Sequence, residues 1–295
     1  MIWVSLFTVF AQELPSIQSP PPIVQGQETN RFIQTGALMY YSEVYGADIF
    51  CSGTLVHEQW VVTAAHCISA IDDFVDDGWK ILFVLGTSLY SDEGIDDYDL
   101  VVDWVIHPDY NTEQLQHDVG VLELANGFPG VEPIALNSYS PDETWHGQEM
   151  LYVGWGITAD NRGDSGIKRM ASITYYDYDE QFVYSVDEAH ETNLCSGDSG
   201  GSALRIQANG TYRLVGVNSF VFGIVNQNTA CVGGGSGATR IDKNLEWIRE
   251  YVPEPAPIQF EPELSPRLGC STIPLRDSFF LVLFSLLAFP RTRRK

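Results

Sequence analysis

The run Gly197-Asp198-Ser199-Gly200-Gly201 constrains this chain more than any other segment. Glycines around a serine permit a tight turn through left-handed backbone, with nearby amides free to point at an anion. A serine hydroxyl is a poor nucleophile until a positioned base takes its proton, so such a turn has chemical use only in a fold that carries a histidine and a carboxylate to it. Two distant segments qualify. His66 follows the apolar stretch Trp60-Val61-Val62-Thr63 through Ala64 and Ala65, small residues that let a short turn pack closely. Asp118 leads Val119-Gly120-Val121-Leu122-Glu123-Leu124, a single acid at the head of an apolar strand. A lone histidine or a glycine-rich serine loop is more often structural than catalytic, but here three separate contexts coincide.

Strand-like runs at 60–63, 81–85, 100–106, 119–124, 150–153 and 212–217 alternate with Gly, Asp and Asn turns, and helical periodicity is convincing only over 243–251. Many short strands with turn signals indicate a barrel or a sandwich. The glycine-rich stretches 163–166 and 233–237 lack the G-K-[ST] ending and the following helix of a phosphate cradle, so they read as flexible loops. His57, His107, His117, His146 and His190 read as ordinary surface or packing histidines.

With the chain order His66, Asp118, Ser199, residues 23 to about 252 resemble a trypsin-like (chymotrypsin-fold) serine endopeptidase. Ile23-Val24-Gln25-Gly26 resembles that family's mature N-terminus, Gly154-Trp155-Gly156 its mid-chain motif and Leu245-Glu246-Trp247-Ile248 its closing helix. The resemblance implies an all-β fold of two six-stranded antiparallel barrels with a C-terminal helix, His66 and Asp118 coming from the first barrel and Ser199 from the second. It further implies that Ser199 is the nucleophile, His66 the general base and Asp118 the group that fixes the imidazole tautomer. The amides of Gly197 and Ser199 would form the oxyanion hole, and Ser219 would support the buried aspartate and line the substrate strand.

Other expectations come from the same resemblance. The α-amine freed at Ile23 would pair with Asp198, leaving the uncut precursor largely inactive. Pro20-Pro21-Pro22 stands before Ile23 where tryptically activated relatives carry Arg or Lys, so the activating protease is unknown. Asn193 takes the pocket-base position, six residues before the nucleophile, where trypsins hold an aspartate, and Val221 stands where open pockets have glycine. Together they imply an uncharged, small or medium P1 residue, with the stretch 222–230 able to reshape the pocket wall. Cys51–Cys67 and Cys195–Cys231 match family disulfides, which persist in oxidising compartments, and Cys270 is left over.

Charge bears on partners. Residues 23–252 hold 34 Asp and Glu against 10 Lys and Arg, a balance of −24, which disfavours nucleic acid. Protein or peptide substrates and a monomeric state are expected instead. Asp92, Glu93, Asp96, Asp97 and Asp99 fall in the loop that binds calcium in some relatives, but acidic loops are usually just solvated and the spacing is not that of an EF-hand, so no metal site and no cofactor are assigned.

The ends imply a route out of the cytoplasm. Residues 1–11 resemble a signal peptide, although the basic n-region is missing, and 12–22 a short propeptide. After the protease domain at 23–252, a Pro-rich linker covers 253–268. The tail, 269–295, holds Gly269-Cys270, an apolar run and a basic end, and resembles bacterial sorting signals of the myxobacterial Gly-Cys type. That places the protein outside the cell or at the envelope, with a tail-processing enzyme acting at Gly269 and Cys270. A plain membrane anchor is the alternative for the tail, but an eleven-residue apolar helix covers only about half of a bilayer core of roughly 30 Å. For the whole chain, the alternatives are a non-catalytic binding protein on the same fold and an envelope-anchored adhesion or structural protein.

Overall fold

The computed structural model of the chain describes residues 23–24, 26–225 and 231–254. The expected signal segment, the propeptide, the tail with Gly269 and Cys270, and almost all of the linker lie outside the described residues, as do residues 226–230 of the expected pocket wall.

After a short strand β1 (Gln27–Glu28), six strands close into an antiparallel barrel: β2 (Thr35–Ser42), β3 (Gly46–His57), β4 (Trp60–Thr63), β5 (Lys80–Gly86), β6 (Ile95–Ile106) and β7 (Gly120–Leu124), in the order β2-β3-β4-β7-β6-β5. Leu38, Leu55, Val61, Phe83, Val121 and Leu122 fill it and are inaccessible to solvent. The chain then adds β8 (Ala135–Leu136), β9 (Glu149–Gly154), β10 (Arg169–Tyr178), β11 (Phe182–Val186), β12 (Ser202–Ile206), β13 (Tyr212–Gly223) and β14 (Gly234–Arg240). Six of these form a second closed ring, β9-β10-β11-β14-β13-β12, because β9 pairs with both β10 and β12. Strand β1 adds to β10, and β8 runs parallel beside β13. The expected two-barrel fold is present.

Two readings need correction. Residues 234–237, expected to be a flexible loop, are part of β14, which is buried along its whole length. The bare glycines there make room for aromatic rings: a Cβ on Gly235 would stand 2.5 Å from the Phe222 ring, and one on Gly237 would collide with Phe220. Asp99, grouped with the acidic loop, instead lies buried on β6, where its carboxylate accepts from the Asn126 and Gly127 amides at 2.7 and 2.6 Å and closes a turn.

Three α-helices, α1 (Ala65–Ile68), α2 (Ile71–Asp76) and α3 (Ile241–Tyr251), and two single-turn 3-10 helices at Asp92–Gly94 and Glu143–Trp145 complete the described chain. The first two are too short for a 3.6-residue pattern to register. The third buries Ile241, Leu245 and Ile248 on one face, as its sequence periodicity implies. Among the described residues, no helix is long and apolar enough to cross a membrane.

Candidate active site

Strand register brings the first two site residues together. β4 and β7 are antiparallel with Thr63 opposite Gly120, so the residues just beyond Thr63 and just before Gly120 meet at one end of the pair. There the Asp118 carboxylate is fully buried and accepts from His66 N–H at 2.9 Å and from His66 Nδ1 at 2.7 Å. Two bonds from one carboxylate to one residue fix both the backbone and the ring of His66, whose side chain stays 29% exposed. Ser219 Oγ donates to the same Oδ2 at 2.5 Å. Next to it, burial and the Asp118 charge push the Tyr110 hydroxyl up to about 12.

The second barrel supplies the serine turn. Gly197 has φ +94° and Gly200 φ +79°, values that glycine adopts freely. Close approach reinforces the choice at 197, where an added Cβ would stand 2.8 Å from the Gly156 Cα. Ser199 is half-buried just before β12, and its carbonyl accepts from Ser52 N–H at 2.8 Å, tying the turn to the first barrel. Ser52 Oγ donates to the Gly197 carbonyl at 2.8 Å and accepts from Trp155 N–H at 3.1 Å. Ser202 Oγ bonds Thr35 and Thr54 at 2.7 and 2.6 Å, a further link from β12 to β2 and β3. Among the described residues, no hydrogen bond joins the His66 ring to Ser199 Oγ.

Asp198 is buried beneath this turn. Its Oδ1 accepts from Gly156 N–H at 2.8 Å and its Oδ2 from Cys195 N–H at 2.9 Å. Burial nevertheless raises its carboxyl to about 6, opposed by those two amides and by the charge of Arg169. Ile23 is also fully buried, and Val24 forms a bridge with Asn193. Both expected disulfides, Cys51–Cys67 and Cys195–Cys231, are present. His66, Cys51 and Cys67 place their ligating atoms within 4.8 Å of one another, but sulfurs joined in a disulfide offer no thiolate to a metal.

A cavity of about 200 Å³ opens at the turn, lined by Ser199, Ser219, Val221, Leu194, Phe220 and Cys195 among others. It is smaller than the roughly 300 Å³ at which sites for drug-sized ligands begin, and suits one side chain. Asn193 is not part of its lining. It is 1% exposed, and its Nδ2 donates to the Gly235 carbonyl at 3.2 Å. Phe220, between two singled-out residues, was missed although adjacency alone pointed to it. Ser52 was missed as well, because its role depends on contacts distant in sequence. His117, read as ordinary packing, stacks on His107 at 4.4 Å and bonds Asn244 Oδ1 at 2.9 Å, holding the segment that leads into Asp118.

Two closed β-barrels with a histidine–aspartate pair on one and a glycine-flanked serine on the other define a serine-peptidase fold. The family model described as Trypsin matches residues 23–248. The chain belongs to the trypsin family. It is 28% identical over 229 residues to vitamin K-dependent protein C of Mus musculus, a match covering 69% of this chain and 46% of that protein. Brachyurin of Leptuca pugilator is 26% identical over 227 residues, covering 72% of this chain and 90% of the relative. An inactive CLIP domain-containing serine protease A28 of Anopheles gambiae is 27% identical, covering 72% of this chain and 59% of the relative.

Proposed function

We propose that the protein is a serine endopeptidase that hydrolyses peptide bonds through an acyl-enzyme, with Ser199 as nucleophile, His66 as base and Asp118 as the group that orients His66. The observation that carries this reading is the division of labour around Asp118. Its Oδ2 holds both His66 Nδ1 and Ser219 Oγ, so the single hydroxyl proton of Ser219 is committed to a carboxylate. Ser219 is therefore the support, and of the other two serines in the cavity, Ser196 and Ser199, it is Ser199 that sits between the left-handed glycines 197 and 200 and is assigned as the reacting hydroxyl. Catalytic hydrogen bonds in free enzymes are often long and tighten when substrate binds, which accommodates the lack of a hydrogen bond between Ser199 Oγ and the His66 ring among the described residues.

In this reading Ser199 Oγ attacks the scissile carbonyl as His66 Nε2 takes its proton. The resulting oxyanion receives the Gly197 and Ser199 amides, and His66 returns the proton to the leaving amine. Water then repeats the sequence on the acyl-enzyme. Val221 and Phe220 line the cavity, whose described lining carries no carboxylate for a cationic side chain, and this supports an uncharged P1 residue. Cleavage before Ile23 would place an amine beside Asp198 and complete the activation pair. The two disulfides support export to an oxidising compartment, and the Gly269-Cys270 tail supports retention at a cell envelope.

The second reading is a non-catalytic binder on the same barrels, and the inactive relative gives it a specific basis. Reaction with a fluorophosphonate separates the two: labelling that Ser199→Ala abolishes supports the peptidase, and no labelling of the cut chain supports the binder.

A further inference from the structure

His117 stands immediately before Asp118 at φ +51°, a left-handed backbone that residues with side chains seldom adopt and that persists only where the surroundings over-determine it. Its carbonyl accepts from Val119 N–H at 2.7 Å, so the chain turns tightly about Asp118, the residue between them. The groups that hold this turn come from the second barrel and from α3. Gln181, in the connection from β10 to β11, accepts on Oε1 from His117 N–H at 3.0 Å, and its Nε2 lies 3.3 Å from His117 Nε2. Asn244 of α3 places Oδ1 at 2.9 Å from His117 Nδ1. His107 covers one face of the ring at 4.4 Å, with the two planes 13° apart.

These partners fix the protonation state of the ring. Gln181 must present its oxygen to the His117 N–H, which leaves its amide nitrogen facing the ring as a donor, so His117 Nε2 is the acceptor. Asn244 Nδ2 is committed to the Arg240 carbonyl at 2.7 Å, so its oxygen meets Nδ1, which carries the proton. The ring is thereby the neutral Nδ1–H tautomer. A second proton would set one N–H against another and break the bond to Gln181. The stacked neighbour opposes that proton too: His107 Nδ1 accepts from Asp109 N–H at 3.1 Å, and burial, then charge on His117, draw His107 down, with Asp109 opposing. Asp118, next in the chain, favours a charge, but its carboxylate is spent on His66 and Ser219. The charges flanking Gln181 and Asn244 are engaged as well: Asp179 with the Gln181 and Phe182 amides and the Tyr184 hydroxyl, Glu180 with Lys243, and Asp242 with Arg240.

We propose that His117 is a positioning residue for the reaction: as a neutral ring clamped by Gln181 and Asn244 it fixes the turn that aims Asp118 at His66, and it takes up a proton only by releasing Gln181. This rests on the peptidase reading, in which Asp118 orients the base. Acid therefore acts on the site twice, at His66 and, one residue from Asp118, at His117.

The test uses the chain cut before Ile23, as wild type, His117→Asn, Gln181→Met, their double variant and Gln181→Glu, with thermal unfolding as the folding control. Asparagine tolerates the left-handed backbone and does not titrate. The readouts are the maximal rate of fluorophosphonate labelling and the probe concentration at half that rate, both from pH 5 to pH 8. Long-range proton–nitrogen spectra of histidine-labelled protein report the tautomer, with His117→Asn assigning the signal. His117 is expected to be neutral with the proton on Nδ1 at pH 8. His117→Asn and Gln181→Met should each slow labelling about 10-fold at pH 8, the scale of one or two lost hydrogen bonds, at an unchanged half-maximal concentration, and the double variant should cost no more than either. Toward pH 5 wild type should lose a further factor of about 10 beyond what one protonation gives, and both single variants should show only the one-proton limb. Gln181→Glu, whose carboxylate accepts from an imidazolium, should keep the wild-type rate at pH 8 and also lack the extra loss in acid. If His117→Asn does not fold, the two Gln181 variants, on the other barrel, decide the matter. Unchanged rates, additive losses, a one-proton limb in wild type, or a proton on Nε2 at pH 8 would overturn the proposal and leave the peptidase reading intact. If cut wild type takes up no probe, the peptidase reading falls and the proposal with it.

Discussion

Ser219 Oγ lies 2.5 Å from Asp118 Oδ2, the same oxygen that holds the His66 ring at 2.7 Å. Three serines border one cavity, Ser196, Ser199 and Ser219, and this contact sets Ser219 apart as the support. Ser219→Ala removes one donor from a buried carboxylate without removing a reacting group. Turnover is expected to fall about 10-fold, in line with the 1 to 3 kcal/mol scale of hydrogen bonds to charged groups, while covalent labelling persists. Steady-state rates and probe labelling of the purified variant check this, and complete loss of labelling in Ser219→Ala would assign the nucleophile to the wrong serine.

Lys168, whose N–H bonds the Thr87 carbonyl at 2.9 Å, buries its ammonium fully, 5.9 Å from the Trp155 ring, and its Nζ has no hydrogen-bond partner among the described residues. Burial draws its pKa down from 10.5 to about 8, with Asp96 opposing. Between those values the unfolded chain binds more protons than the folded one, so raising the pH favours the fold, and below pH 8 the penalty is complete. Lys168→Met is expected to stabilise the protein by on the order of 2 kcal/mol at pH 7. The gain in melting temperature should shrink as pH rises above 8, which thermal unfolding at pH 7 and pH 10 measures.

Asp198 gives a signature of opposite slope. Its folded carboxyl titrates near 6 rather than near 3.8, so the folded state holds the extra proton in between and loses stability as pH rises across that window. Replacing it with Asn should therefore stabilise the uncut chain increasingly from pH 4 to pH 6. In the chain cut before Ile23 the new amine offsets the buried charge, and the same substitution should gain much less. Paired melting curves of both forms test the Ile23–Asp198 pairing without any substrate.

Val221 and Phe220 line the cavity. Val221→Gly should widen it and raise kcat/KM for large aromatic P1 residues by about 10-fold relative to alanine, since a few methylenes of pocket space are worth roughly 1 to 3 kcal/mol. Digestion of a peptide library with both forms checks this. A strong preference for Arg or Lys in the wild type would contradict the uncharged-pocket reading.

How much the sequence disclosed depended on how local each signal was. The serine turn, the histidine after β4 and the aspartate before β7 were legible because each sits at the junction of a short motif and an apolar strand. β14 was not: Gly, Ser, Ala and Thr dominate it, and it is a strand because β11 and β13 pair with it and Phe220 and Phe222 cover its glycines. In β10 an arginine takes an inward position, which hides the period-2 pattern that Ala171, Ile173 and Tyr175 otherwise show. The inter-barrel contacts of Ser52, and the Arg169 bonds to the Gly156 and Asp164 carbonyls, follow from tertiary pairing that no sequence window contains.

The central claim is that Ser199 is an activated nucleophile, and fluorophosphonate labelling of the chain cut before Ile23, located by peptide mapping, tests it most directly. The account predicts a single adduct on Ser199, absent in Ser199→Ala and in His66→Ala and retained in Ser219→Ala. A cut, folded chain that takes up no probe, or takes it up on Ser219, would contradict it.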